Sequence, residues 1–91
     1  MKHVPGSKGV DIKIYALSTC PWCKKTKNLL DDMGVEYYFE DVDLLTGKER
    51  DTVMETVARW NPSRSFPIVV INNSQCIIGF KEQAIRDALK K

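Results

Sequence analysis

A strand that runs into a helix and then into a second strand can fold in few ways, and residues 10–42 have that order. Ile12, Ile14 and Ala16 alternate with Asp11, Lys13 and Tyr15, the two-residue period of a strand over 10–17. Ser18-Thr19-Cys20-Pro21 then opens a helix, since proline suits the first helical position, where an amide would have no partner. Leu29, Leu30 and Met33 give this helix an apolar stripe, and Gly34 stands where a left-handed cap would end it. Residues 37–42 are rich in β-formers and predict the next strand. A helical crossover makes these two strands parallel and their connection right-handed.

The remaining elements follow the same logic. Thr46-Gly47-Lys48-Glu49 reads as a capping box, with Val53, Met54, Val57 and Ala58 behind it at helical spacing. Asn61-Pro62 stops that helix near Trp60, because a proline disfavours helical geometry in the residue before it. Residues 66–71 form a short apolar strand expected to be buried on both faces. Asn72-Asn73-Ser74 supplies turn residues that tolerate positive φ, and 76–78 returns as the hairpin partner. Ala84, Ile85, Ala88 and Leu89 are the apolar side of a last helix over 81–90. The order β-α-β-α-β-β-α predicts an α/β domain over 10–91, a four-stranded mixed sheet with helices on both faces. Residues 1–9, with Pro5, Gly6, Ser7 and Gly9 and no periodicity, are read as a flexible N-terminal tail.

Composition excludes several function classes. Ninety-one residues make one domain. Fourteen Lys and Arg against 12 Asp and Glu leave a net charge of +2, too mild for a nucleic-acid footprint. The longest apolar run, Ile68-Val69-Val70-Ile71, is far shorter than the roughly 18 residues of a membrane span, and no apolar stretch follows Lys2 as in a signal peptide. Three cysteines are too few for a disulfide framework. A cytoplasmic monomer, with no nucleic-acid or membrane partner, is the expectation.

Chemistry concentrates in Cys20-Pro21-Trp22-Cys23, between the first strand and its helix. Two cysteines on one helical turn can close a disulfide with little backbone movement. A thiolate at a helix start is favoured by the unpaired amides and the positive end of the dipole. Thiol–disulfide exchange needs one sulfur to attack as thiolate and a second close enough to resolve the mixed disulfide. Cys20, at the helix end, is the expected attacker, and Cys23, one turn in and more buried, the resolving thiol. Lys24, Lys25 and Lys27 crowd the start of the helix while Asp31 and Asp32 occupy its last turn, each opposing the macrodipole at ~0.3–1 kcal/mol. Such breaches concentrate where function demands them. Positive charge beside Cys20 would support its thiolate and draw acidic partners; on its own, the cluster is equally a solvated face. Trp22 is expected to cover the disulfide and meet partners, and Trp60 to be core.

The alternative for the cysteine pair is half of a zinc site. Zinc normally takes four ligands, and the other candidates are Cys76, inside a strand, and His3, in the tail. Cys76 reads more simply as a small buried hydrophobe. No metal or organic cofactor is expected, because the dithiol itself carries the electrons.

At this point the chain resembles the glutaredoxin family of the thioredoxin fold, over nearly its whole length. Three matches carry the resemblance: the Cys20-Pro21-Trp22-Cys23 junction, Ser65-Phe66-Pro67 before the third strand, and Gly79-Phe80 after the fourth. The resemblance implies a cis Pro67 beside Cys20, a Phe66 backbone that hydrogen-bonds the substrate's extended chain, and reduction of protein disulfides or glutathione mixed disulfides. It also implies where glutathione would sit, and there this chain departs from the family. Leu17 replaces the cation that would bind the glycyl carboxylate, Ile78 replaces a glycine, and Lys81 replaces the Asp that would pair with the γ-glutamyl amine. A lost charge-assisted bond alone removes roughly 1.5–3 kcal/mol. The Gly79-Phe80-Lys81 turn is similar instead to glutaredoxin-like hydrogen donors of ribonucleotide reductase, which are recharged by a flavoprotein. The reading is therefore a thiol–disulfide oxidoreductase acting on disulfide-containing proteins. Pro21, Trp22, Lys24 and Lys25 support the site, and Phe66, Pro67, Gly79 and Phe80 meet the substrate. An upstream flavoprotein disulfide reductase is favoured over glutathione.

Overall fold

The computed structural model describes residues 2–7, 9–61 and 65–89. Five strands form one mixed sheet, β1 (Lys2–Val4), β2 (Ile12–Ala16), β3 (Tyr37–Asp41), β4 (Ile68–Ile71) and β5 (Gln75–Ile78), in the order β1-β3-β2-β4-β5. Three helices connect them: α1 (Pro21–Met33), α2 (Gly47–Trp60) and α3 (Glu82–Leu89). A 3-10 turn over Val42–Leu44 lies between β3 and α2. The pair β2 and β3 is parallel across α1, and β4 and β5 form an antiparallel hairpin beside β2. The core strands, helices and crossover thus fall where periodicity puts them, within two residues at each end.

Strand alternation sorts the core into two layers. Ile12, Ile14 and Ala16 of β2, with Val69 and Ile71 of β4, pack under α1 and α3 against Leu29, Leu30, Ile85 and Leu89. Tyr15, Ile68 and Val70 face the other way, onto Val57 of α2, with Val53, Met54 and Trp60 around them. All four residues of β4 are buried, as its unbroken apolar run implies. Its turn is closed by the Ser74 amide donating to the Ile71 carbonyl at 3.1 Å, with Asn72 and Asn73 at φ of 53° and 54°. Both central residues are left-handed, as a hairpin turn matched to strand twist requires.

The strand count needs correction from four to five. Residues 2–4, read as tail, pair antiparallel with β3, His3 opposite Tyr38. A three-residue edge strand in which Lys2 and His3 are exposed and Val4 alone packs on the core carries no apolar alternation, so periodicity cannot report it. Its holding contacts are local: the His3 ring stacks on Tyr38 with centroids 4.7 Å apart, and His3 Nε2 meets Glu36 Oε2 at 2.7 Å. Ser7 extends the contact, donating to the Gly34 carbonyl at 2.8 Å and accepting from the Glu36 amide at 3.0 Å. Gly6 lies so close to this backbone that a Cβ there would stand 2.5 Å from the Val35 carbonyl carbon. What reads as a loop glycine is thus a close-approach position.

The capping box is also corrected. Thr46 is the N-cap of α2, but its side chain makes no capping hydrogen bond. The next residue, Gly47, takes φ of 60° at the first helical position, a left-handed step that the capping box does not foresee. α1 ends as expected at Gly34, φ 69°, whose amide donates to Asp31 and Leu30 carbonyls. α2 ends at Trp60 with the Asn61 amide on the Val57 carbonyl at 2.8 Å; Pro62, the expected stop, lies outside the described residues, as does Lys90 of the last helix.

Asp31, misplaced for the helix dipole, has a local partner. The buried Tyr37 hydroxyl donates to its Oδ1 at 2.8 Å. Burial first, and this carboxylate second, push the Tyr37 phenol well above its usual range. Burial likewise raises Tyr15, and it pushes the Cys23 thiol up to about 12. Acids raised by folding stabilise the native state fully below their unfolded values, and the contribution is lost as pH rises through the folded ones. Stability is therefore expected to hold to about pH 8.5–9 and to fall through the phenol range near 10 and beyond. Urea midpoints against pH check this; a midpoint that stayed flat into strong alkali would contradict it.

Candidate active site

The β2–α1 junction is built by backbone hydrogen bonds around Cys20. Cys20 is the N-cap of α1 at φ −86° and ψ 116°, with Pro21 at the first helical position. Its amide donates to the Leu17 carbonyl at 3.2 Å, and its own carbonyl accepts the Lys24 amide at 3.1 Å. The Cys20 Sγ accepts the Cys23 amide at 3.2 Å, so a sulfur fills the role that a Ser or Asp oxygen usually plays at a helix start.

Cys23 is fully buried on the core-facing side of α1, whereas Cys20 is only partly covered. Burial is the first cause of the raised Cys23 thiol, followed by its hydrogen bond with Cys20; a bond from the Leu17 backbone and the charge of Lys27 act in the opposite direction. The two sulfurs are therefore unequal: one is reachable at a helix start, the other is a protonated thiol behind it. Both are in the free dithiol form.

Opposite this junction, Ile68 of β4 pairs with Tyr15 of β2, which sets Pro67 alongside the strand that leads to Cys20. The Phe66–Pro67 peptide is cis and Pro67 is buried. The Gly79 amide donates to the Pro67 carbonyl at 2.8 Å and ties the β5–α3 turn to this segment. Gly79 takes φ of 84°, which a side chain would strain. From that turn Phe80 stacks on Trp22, centroids 6.1 Å apart. Trp22 is 55% exposed, and Lys25 Nζ lies 4.4 Å from its ring centroid. Trp22 thus stands exposed on the first turn of α1, braced by Phe80 and Lys25.

The structure separates the three lysines. Lys24 is exposed, Lys25 lies over Trp22, and Lys27 turns inward to Asp41, Nζ to Oδ1 2.9 Å, with Nζ 4.2 Å from the Phe39 ring centroid. Lys27 is therefore not part of a common positive face. Cys76 lies on the opposite side of the sheet from Cys23, under α2, with its thiol 4.0 Å from the Trp60 carbonyl. His3 is held in β1 by Glu36.

Sequence reading missed one clasp. Both the amide and the hydroxyl of Ser18 donate to Asp43, at 2.8 and 2.5 Å. These bonds hold the Asp43 carboxyl below its usual range, the hydroxyl contributing most. They fasten the turn carrying Cys20 to the segment after β3. The available signal was topological: β2 and β3 are parallel, so the segments leaving their C-terminal ends lie side by side.

A dithiol at a helix start, on a sheet of this order, defines a thiol–disulfide oxidoreductase of the thioredoxin fold. The chain belongs to the glutaredoxin family, whose profile matches residues 12–77. It is similar in structure to a glutaredoxin from Methanosarcina mazei Go1, with TM-score 0.87 and 49% identity over 99% of this chain and 87% of that one. Methanoredoxin from Methanosarcina acetivorans gives TM-score 0.85 and 49% identity over 89% of this chain and 85% of that one. A glutaredoxin-like 8.6 kDa protein of the rubredoxin operon in Clostridium pasteurianum is 31% identical over 88% of this chain and 99% of its own length. No helix among the described residues is long and apolar enough to cross a membrane.

Proposed function

We propose that the protein is a dithiol electron donor to protein disulfides, with Cys20 as nucleophile and Cys23 as resolving thiol. The observation that carries this is the inequality of the sulfurs, one partly open and accepting an amide at the start of α1, the other buried and protonated. The Cys20 thiolate attacks one sulfur of the substrate and releases the other as a thiol. Cys23 then loses its proton and displaces the remaining substrate sulfur, closing the Cys20–Cys23 disulfide as two electrons pass to the substrate. Phe66 and Pro67 present the backbone edge to an extended chain. Trp22, braced by Phe80 and Lys25, supplies apolar contact, and Lys24 adds positive charge at the rim.

Recharging by a flavoprotein disulfide reductase is favoured over glutathione. Leu17 packs against the core beneath α2, so the position for a carboxylate-binding cation holds an apolar side chain. Lys81, exposed just before α3, sets a cation where the γ-glutamyl ammonium would need an anion. Glutathione then meets the disulfide by collision, without an oriented complex, and that route is slow. Turnover is expected to be faster with a thioredoxin-reductase-type system than with glutathione and its reductase at equal protein concentration. Leu17→Lys with Lys81→Asp should raise the glutathione-dependent rate. Efficient turnover of the unaltered chain with glutathione would make it an ordinary glutathione-dependent glutaredoxin.

A further inference from the structure

Lys27 is a charged residue that the site has not yet absorbed. It stands one helical turn beyond Cys23, on the same face of α1, since residues four apart are neighbours on a helix. Its side chain is largely covered, 19% exposed, and its ammonium is fixed between Asp41 Oδ1 at 2.9 Å and the Phe39 ring at 4.2 Å from the centroid. A surface lysine would leave its charge in water, where it is screened; a lysine held against the sheet acts through protein. We propose that Lys27 is a positioning residue for the resolving step: its ammonium, anchored by Asp41 and Phe39, favours the negative charge that develops on the Cys23 sulfur as it displaces the substrate thiol. This rests on the roles given above to Cys20 and Cys23.

The resolving step is where such a charge matters. In the mixed disulfide the Cys20 sulfur is bonded to the substrate and carries no charge. Cys23 must give its proton to solvent, its sulfur must bond to Cys20, and the electron pair of the broken bond must leave on the substrate sulfur, which takes up a proton from solvent. Burial opposes the first event, and among the charges acting on Cys23 only Lys27 favours it; the other is the Cys20 sulfur. The charged groups around Lys27 include Asp41 at the end of β3, Asp43 from the 3-10 turn, whose carboxyl Lys27 helps to hold low, and Lys2 of β1, whose Nζ lies 5.9 Å from the centroid of the same Phe39 ring. Asp41 fixes the ammonium on the β3 side of α1, so the pair is an anchored cation rather than a free one.

The two steps separate when a symmetrical aryl disulfide is mixed with the reduced full chain, because attack releases one coloured thiol and resolution the second. Lys27→Met is expected to slow the second release about tenfold at neutral pH and to move its pH profile up by about one unit. The first release should be unchanged, and Lys27→Arg should keep the wild-type second phase. Lys27→Met with Asp41→Asn, which leaves no carboxylate orphaned, should behave as Lys27→Met alone. The proposal is overturned by an unchanged second phase in Lys27→Met, by both phases slowing together, or by recovery of the wild-type rate in the double variant. A wild-type chain that released only the first thiol would remove the Cys23 role itself, a different failure.

Discussion

Cys20→Ser is expected to reduce turnover of a protein disulfide to background, while Cys76→Ser leaves it unchanged. The difference follows from where each sulfur sits. Cys20 caps α1 and accepts the Cys23 amide at 3.2 Å. Cys76 lies on the other side of the sheet, packed with Trp60 under α2, and burial raises its thiol. Cys23 cannot substitute as attacker, since it is buried with its thiol pushed up to about 12. Steady-state reduction of an added protein disulfide with excess reductant measures both variants. Appreciable activity in Cys20→Ser would place the nucleophile elsewhere.

The part of this site legible in the sequence is the part that depends on adjacent residues. Cys20-Pro21-Trp22-Cys23 on the first turn of a helix is a local statement, and so are the alternation in β2, the left-handed Asn72-Asn73 turn and the Gly34 cap. What it hides joins residues far apart in the chain without apolar periodicity. β1 docks on β3 through an edge, and Asp43 clasps Ser18 across 25 positions. Lys27 reaches Asp41 across 14. Counting charges along α1 grouped Lys27 with Lys24 and Lys25, but helix geometry sends it to the sheet side. The Thr46 box is the opposite case: the local pattern is present, yet the Thr46 side chain makes no capping bond, and the residue after it is a left-handed glycine.

The second large effect is on the scaffold that aims the dithiol. Ile14→Ala is expected to cost about 2–5 kcal/mol, the range for deleting a buried aliphatic side chain without collapse of the site. Ile14 is fully buried on β2, paired with Phe39 on one side and Val69 on the other, beneath α1 and α3. Its neighbours are fixed by hydrogen-bonded strands, which limits relaxation into the cavity. For a domain of this size each kcal/mol is worth roughly 4–8 °C, so the melting temperature should fall by ~10 °C or more. Thermal unfolding of the reduced protein checks it, and a change of only a degree or two would mean that this layer is looser than its burial indicates.

The assignment of roles within the dithiol is the centre of the account, and trapping tests it most directly. Cys23→Ser keeps the helix start and the Cys20 sulfur but removes the resolving thiol. Incubated with a disulfide-bearing protein, this variant should accumulate one covalent adduct, and peptide mapping by mass spectrometry should place the partner's sulfur on Cys20. An adduct on Cys76, or no adduct with Cys20 left free, would contradict it.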